Sequence, residues 1–584
     1  MKRFLVLLFL IATVSVASAQ NNSKIAPELQ GYKGTQPVNV IVQYAPGTQL
    51  NCSGLLGLVD CLVNDIVSLG GQLLAPLPLV DGLLASLDGQ GIASLSTHSN
   101  VVYISSDRPL SPTLSNAAPA INAEYAWQSG YTGSGIGVAL IDSGVNGSAD
   151  LNGGFLGSSR VVYSQSFLPT NSSAGDQYGH GTHIAGLIAG NGANSTGPQY
   201  SRTFKGIAPN ANIVNLRVLD QNGEGTDSTV ISAIAEAIAL KSRFNIRVIN
   251  LSVGRPIYES YKLDPLCQAV EGAWKNGIVV VVAAGNNGRY EPTSGYGTIT
   301  APGNDPYVIT VGAMKPEGTP TRLDDLMASY SSKGPTALDA VSKPDLVAPG
   351  NLLVSLAVPG STLYNEYPGN QVPYSYYVNN GSSASSTNYF TLSGTSMAAG
   401  VVSGAVADLL QHTPSLNPDQ VKARLMKTAW KSLPAYSSVI DPTTGITYSD
   451  QDDVFTVGAG YIDVEAALSN TDLAKGTAMS PIATFNGSSD TVNLNANSSA
   501  VWNTASTWSY ANVWGTSQFV TGTTAASVSS ANSASSPLWG NNAMWGTNAM
   551  WGTNAMWGTN AMWGTNAMWG TNAMWGTNAS AGEQ

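Results

Sequence analysis

Between residues 121 and 470, short Val- and Ile-rich segments alternate with helix-like stretches, and this alternation leaves few architectures open. The segments are Ile136–Ile141, Ile213–Leu219, Arg247–Leu251, Ile278–Ala283 and Val308–Val311. Their largely apolar character is that of strands buried on both faces. Joining such strands through helices gives an α/β fold with a mainly parallel sheet and helices on both faces. Val230, Ile231, Ile234 and Ile238 recur at helical spacing within Ser228–Lys241, where Asp227 is placed to cap the helix. Asp264 caps a second helix running toward Trp274, and a third spans Pro418–Trp430.

Other regions flank this one. Residues 1–19 have the form of a secretory signal, with Lys2 and Arg3 before the apolar run Phe4–Val16 and Ala17-Ser18-Ala19 for cleavage. Export follows, and no later stretch reaches the length of a membrane span. Residues 33–110 alternate strand-like runs (Val38–Gln43, Asn100–Ile104) with the apolar segments Leu55–Leu69 and Leu83–Leu95, enough for a small α+β unit. Pro109–Pro119 reads as an exposed connection, so the α/β region is placed at 115–470. From 471 to 584 the composition turns to Asn, Ser, Thr, Ala and Gly, a low-complexity tail carrying the repeat Asn-Ala-Met-Trp-Gly-Thr from Asn542 to Thr577. Trp502, Trp508 and Trp514 already show its spacing of six. A period of six puts each Trp on one face of a strand and scatters them around a helix, so order there is extended or solenoidal. Disorder and a surface-binding module are the other readings.

The net charge of -11 argues against binding nucleic acid or an anionic membrane surface. Of three cysteines, Cys52 and Cys61 are close enough in sequence to pair after export, while Cys267 reads as a buried free thiol. No Cys/His cluster has zinc spacing.

Gly394-Thr395-Ser396-Met397-Ala398-Ala399 opens an apolar helical run to about Leu410 and marks Ser396 as the nucleophile. A serine hydroxyl needs a base, a group that orients the base, and donors for the oxyanion. Two of only four histidines lie in Gly179-His180-Gly181-Thr182-His183, framed by glycines that permit close backbone approach. Asp142 ends the strand Ile136–Ile141, and Asn286 follows the strand Ile278–Ala283, both at the carboxyl ends where α/β sheets gather their sites. Singly, each has a plainer reading as a cap or turn residue. Their conjunction carries the case.

With these residues in place, the chain resembles the subtilisin-like serine proteases (subtilases) over roughly 115–469. Ile141-Asp142-Ser143-Gly144 resembles the aspartate motif, the His180 segment the histidine motif, Gly394–Ala399 the serine motif and Ala284-Gly285-Asn286 the oxyanion motif. Lys343–Gly350 and Gly458–Asp463 are supporting strings. The resemblance implies Asp142, His180 and Ser396 as a triad, with His183 not the base, and Asn286 as oxyanion donor. It implies Ser252-Val253-Gly254 and Gly223-Glu224-Gly225 as edges pairing with an extended peptide, and Thr300 at a raised floor of the first specificity pocket, favouring uncharged, apolar residues. No cofactor is required for the chemistry; structural calcium is an expectation, with Asp150 as candidate ligand. The unit at 33–110 resembles the family propeptide, an intramolecular inhibitor removed by cleavage between Ile104 and Ala118.

Departures from the pattern are Gly400 where Pro is usual, Arg255 where Gly is common, and a long Tyr-rich stretch between Gly350 and Gly394. That stretch is either a surface insertion or a flap over the leaving-group side of the cleft. The expected function is a secreted endopeptidase acting on protein substrates. The competing one is an inactive scaffold whose Trp tail binds a cell surface.

Overall fold

The computed structural model describes residues 24–527 apart from 27–28, 30–31, 46–65, 78–81, 107–112, 154–156, 291–292, 442–444, 487–490, 504–507, 515–517 and 522–523. The leader, Cys52, Cys61 and the Asn-Ala-Met-Trp-Gly-Thr repeat lie outside the described residues. Two compact units divide between Leu110 and Ser111.

In the first unit, strands Val38–Tyr44, Gln72–Leu77, Gly82–Leu87 and Val101–Ser106 form an antiparallel sheet. Its spatial order is 72–77, 82–87, 38–44, 101–106. The helix Gly89–Leu95 starts at Asp88, whose carboxylate accepts the Gly91 N–H at 2.8 Å. Val40, Val42, Leu87, Ile92, Leu95 and Ile104 fill the core between them.

The second unit is built on an eight-stranded sheet. Its strands are β1 (Gly137–Asp142), β2 (Val161–Ser166), β3 (Asn212–Arg217), β4 (Ile246–Leu251), β5 (Val279–Ala283), β6 (Ile309–Lys315), β7 (Leu326–Met327) and β8 (Leu346–Pro349). They lie in the order β7-β6-β5-β4-β1-β3-β2, with β8 also paired to β6. All pairs are parallel except β6 with the two-residue β7. Every residue of β1, β5 and β6 is buried, which requires cover on both faces. The cover comes from helices α1 (His180–Ala189), α2 (Asp227–Phe244), α3 (Pro265–Lys275), α4 (Thr395–His412) and α5 (Pro418–Thr428). The five expected strands are found to within a few residues, since each is an apolar run. β2 was not expected: its sequence Val-Val-Tyr-Ser-Gln-Ser is that of a half-exposed edge strand.

Three local differences have physical reasons. Helix α2 begins one residue earlier than expected, after Thr226, whose N–H donates to Thr229 Oγ1 at 3.3 Å; Asp227 is thereby free to pair with Arg255. Gly400, expected only to weaken α4, lies where that helix meets α1, and a Cβ there would stand 3.3 Å from Ile184. Part of Pro109–Pro119 is not an open connection, because Thr113–Ala120 is helical and buries Ala117, Ala118 and Ala120.

The Tyr-rich stretch folds as a three-stranded antiparallel sheet of β9 (Leu353–Leu356), β10 (Gln371–Pro373) and β11 (Ser385–Leu392), in the order β9-β11-β10. Tyr377 and Tyr389 are buried within it. A hairpin of β12 (Tyr436–Ile440) and β13 (Thr447–Gln451) follows α5. Beyond residue 471 the chain first completes a second core. Trp502 and Trp514 meet edge to face, with centroids 5.0 Å apart, and pack with Met426, Val454 and Phe455. The stretch read as low-complexity tail therefore begins as part of the globular body, because its few large apolar groups find partners far away in sequence.

Candidate active site

The strand order reverses at β1, since β2 and β3 lie to one side of it and β4 to β8 toward the other. The crevice at such a reversal opens at the carboxyl ends of the strands. Asp142 ends β1, Ser252 follows β4, and Asn286 lies just past β5. One pocket there is lined by Tyr178, His180, Leu219, Gly223, Ser252–Gly254, Ala283, Gly285–Asn287, Thr300, Thr395 and Ser396. Of the expected site residues, Asp142 lies behind His180, Glu224 and Gly225 lie outside the lining, and Asp150 lies elsewhere.

His180 opens α1, and its Nδ1 donates to Asp142 Oδ1 at 2.8 Å, with Oδ2 at 3.0 Å. That donation fixes the tautomer and leaves the Nε2 lone pair unclaimed by Asp142. Burial works against protonation of this imidazole, yet Asp142, through its charge and hydrogen bond, and then Asp176 raise its pKa above the ordinary value. The helix comes this close to β1 because residue 181 is glycine: a Cβ there would stand 2.3 Å from the Gly144 carbonyl oxygen. His183, one turn on, is different. Its Nε2 faces two carbonyls, Leu353 and Phe390, each at 3.1 Å, so it is a donor there, and burial lowers its pKa to about 3. It is a neutral tie between α1 and the β9–β11 sheet.

Asp176 was not singled out in the sequence. It is buried and accepts N–H donations from Tyr178, Gly179 and Thr182 and the Ser143 hydroxyl, at 2.7–3.1 Å. Ser143 Oγ in turn accepts the Gly181 N–H at 2.9 Å. These bonds gather the first N–H groups of α1 and the residue after Asp142 onto one carboxylate. A carboxylate just ahead of a helix start was the available signal.

Ser396 sits in the first turn of α4. Its hydroxyl faces the Ser252 carbonyl at 3.4 Å, and among the described residues no hydrogen bond joins it to His180. Asn286 is oriented by the residue before the serine. Thr395 donates both its N–H (2.9 Å) and its hydroxyl (3.0 Å) to Asn286 Oδ1, while Thr395 Oγ1 accepts the Gly285 N–H at 3.1 Å. A backbone N–H can only donate, so the carboxamide oxygen must face Thr395, and the NH₂ group turns the other way. Thr395 is a further residue that sequence reasoning passed over.

Thr300 lies between the two pocket walls. A Cβ on Gly254 would stand 2.6 Å from Thr300 Oγ1, so that wall must be glycine for the threonine to fit. Arg255 pairs with Ala301 through both backbone bonds, at 2.8 and 2.9 Å. Tyr178 is held by the short helix Thr362–Glu366 of the Tyr-rich stretch, where Leu363 N–H donates to its carbonyl at 3.0 Å; Thr362 Oγ1 donates to the nearby Gln221 carbonyl at 2.6 Å.

Asp150 does not fit the calcium role expected of it. Its Oδ1 accepts the Asn194 N–H at 2.7 Å, its Oδ2 accepts the Tyr389 hydroxyl at 2.8 Å, and Arg160 donates to its carbonyl at 2.8 Å. A cation needs acceptors and repels a guanidinium, so these partners replace one. Among the described residues no three His, Cys, Asp or Glu side chains converge as a metal site.

Comparison with known proteins agrees with this geometry. A sequence model of the Subtilase family matches residues 133–460. The chain is 37% identical to serine protease AprX of Bacillus subtilis (strain 168) over 57% of its own length and 70% of that protein's. It is 32% identical to subtilisin DY of Bacillus licheniformis, over 61% and 98% of the two chains. It is likewise 32% identical to subtilisin E of Bacillus subtilis (strain 168), over 63% and 80%. The chain belongs to the subtilase family and is a subtilisin-like serine protease, a hydrolase acting on protein substrates without a cofactor in the chemistry.

Proposed function

We propose that the chain is a secreted endopeptidase made as an autoprocessed precursor, with Asp142, His180 and Ser396 as its triad. The observation that carries the reading is the 2.8 Å contact of Asp142 with Nδ1 of a histidine that lines the same pocket as Ser396. The Ser396 hydroxyl, bonded only weakly to Ser252, turns about χ1 to meet Nε2 when substrate displaces it. Ser396 then attacks the peptide carbonyl, His180 takes its proton and passes it to the leaving amine, and Asp142 stabilises the imidazolium. The Asn286 NH₂ and the Ser396 N–H receive the oxyanion.

The acyl side of the peptide lies between Ser252–Gly254 and Gly223–Gly225. Glu224 is the weakest member of that set, since its N–H donates to the Asp220 carboxylate and its carbonyl accepts the Asp220 N–H. The Gly223 N–H also donates to the Asp220 carbonyl, at 3.2 Å, so pairing falls to the Gly223 carbonyl and to Gly225, on the same side of the backbone. Thr300 shortens the first pocket, and its lining supports small or medium apolar residues before the cleaved bond.

Residues 1–19 serve as the export signal, 33–110 as a propeptide that inhibits until removed, and 115–470 as the catalytic domain. The separate compact unit ending at Leu110 supports the boundary between propeptide and catalytic domain. No described helix is long and apolar enough to cross a membrane. The repeats beyond the second core are read as a surface-binding tail.

Intact mass of the secreted protein, beside that of Ser396→Ala from the same protease-deficient host, tests the reading. The wild type should lose about a hundred N-terminal residues, the length of signal and propeptide together, and the variant should keep its propeptide. Retention of the propeptide by both proteins, with no hydrolysis of unfolded protein by the wild type, would leave an inactive scaffold.

A further inference from the structure

We propose that Arg289 is a positioning residue for the oxyanion donor, and that the β12–β13 hairpin supports Asn286 through it. The inference rests on the reading of Asn286 given above and goes beyond it. Thr395 holds the Oδ1 end of the Asn286 side chain, but the backbone that carries Asn286 is held elsewhere. Asn287 N–H donates to Ser332 Oγ at 3.0 Å, Gly288 N–H to the Tyr330 carbonyl at 2.8 Å, and Ser332 N–H to the Gly285 carbonyl at 2.9 Å. The oxyanion loop is thus strapped to the segment 328–332, which has no helix or strand of its own.

The hairpin holds that segment at both ends. Ser437 Oγ on β12 accepts the Met327 N–H at 2.9 Å, and Asp450 on β13 pairs with the buried Lys333 at 2.5 Å. Arg289, three residues past Asn286, ties the loop itself into the same assembly. Its Nε donates to Ser329 Oγ at 2.8 Å and its Nη1 to Asp441 Oδ2 at 2.9 Å, and its guanidinium lies 4.7 Å from the Tyr448 ring centroid. One planar fork, carried by the loop, therefore bonds the strap and Asp441 just past β12 and lies over Tyr448 of β13.

Arg289 and Asp441 are 15% and 8% exposed, so little water competes for these bonds. A shift of Arg289 reaches Asn286 across only two intervening residues. Errors of this size matter, because oxyanion donors must already be in place when charge develops, and a misplacement of about 1 Å can cost on the order of a hundredfold in rate.

The test uses the full chain, a soluble chromogenic peptide substrate, a peptide boronate that forms a tetrahedral adduct on serine, and a product peptide acid. Arg289→Ala should lower kcat about tenfold, part of the 10²–10³ that loss of an oxyanion donor costs, with KM within about twofold. Boronate binding should weaken by the same factor while product binding stays level. Asp441→Asn and Arg289→Lys should fall between, and they carry the test if the alanine variant does not fold. Added to Asn286→Ala, Arg289→Ala should cost nothing further, because it acts through the missing amide.

Unchanged kcat, equal losses in KM and product binding, or full additivity with Asn286→Ala would each overturn the proposal and leave Arg289 a structural residue. Should Asn286→Ala itself lose less than about tenfold in kcat, the oxyanion reading of Asn286 fails first. A normal Arg289→Ala beside a crippled Asn286→Ala defeats only the proposal made here.

Discussion

Asp142 holds Nδ1 of His180 at 2.8 Å, and with His180 proposed as the base this pair is expected to set how the enzyme responds to pH. Burial alone would depress the imidazole pKa, but Asp142 and Asp176 together raise it above 6.5. Hydrolysis needs the neutral ring, so activity should appear as pH rises through a single ionisation above 6.5. Stability runs the other way. The folded state binds the proton more tightly than the unfolded chain, so this residue's contribution is full below the unfolded pKa and fades as pH rises through the folded one. Asp142→Asn should move the acid limb of kcat/KM downward and cut kcat by about 10⁴. A wild-type limb below 6.5, or a limb unmoved in the variant, would contradict the assignment. At this scale the motif residues were legible because each ends a strand or opens a helix with glycine beside it. Thr395, Ser143 and Asp176 were not, because a short polar residue next to a motif has too many ordinary uses. Only the hydrogen bonds tell which use it has.

Elements meet at Arg255, one of the departures from the family pattern. Its guanidinium bonds Asp227, the first residue of α2, at 2.8 Å, and Asp264, which caps α3, at 2.9 Å. Its backbone pairs with Ala301, next to Thr300. One side chain thus joins two helix N-termini to the wall of the pocket proposed to take the residue before the cleaved bond, and the acidic residues suit the positive ends of those helices. Asp264 is fully buried, so Arg255→Ala strands a carboxylate without its cation. The cost should approach about 3 kcal/mol, the lower end for breaking a buried pair, because Arg255 keeps some solvent contact. Urea unfolding checks the stability loss, and kcat/KM on peptides differing only before the cleaved bond checks the loosening of the wall. A variant as stable and as selective as the wild type would reduce the pair to decoration. The apolar strands and the α3 cap were visible in the sequence since periodicity and capping are local. Arg255 looked like a mere departure because its partners, Asp227 and Asp264, lie on two different helices outside its own segment.

At the scale of the whole molecule, the sequence misled where composition stood in for structure. Residues past 470 carry few charges and many small side chains, which resembles a tail, yet Ala474, Leu494, Val501, Trp502, Val513 and Trp514 are buried with Met426 and Phe455 of the catalytic body. The Trp502 indole N–H donates to the Met479 carbonyl at 2.7 Å. Ser480 reaches further in: its hydroxyl donates to Asp345 at 2.5 Å and accepts from Lys422 at 2.9 Å, inside a fully buried cluster completed by Lys343. Burial lowers the Lys422 pKa to about 7, with Asp345 opposing the fall, so this ammonium depends on every partner it has. A chain ending after residue 470 loses the Ser480 oxygen and bares the faces under both tryptophans. At about 1.5–3 kcal/mol for each large side chain withdrawn, the loss rivals the whole net stability of an ordinary domain. That truncation should be insoluble or inactive, although it retains every motif residue and the entire matched stretch 133–460. A chain ending after residue 527 keeps the second core and should match the full protein in thermal midpoint and in kcat/KM on small peptides. Equal behaviour of the two truncations would mean that residues 471–514 only rest on the catalytic body. A clear difference would place the true end of the catalytic domain some fifty residues beyond the last family motif, with the six-residue Trp spacing beginning inside it.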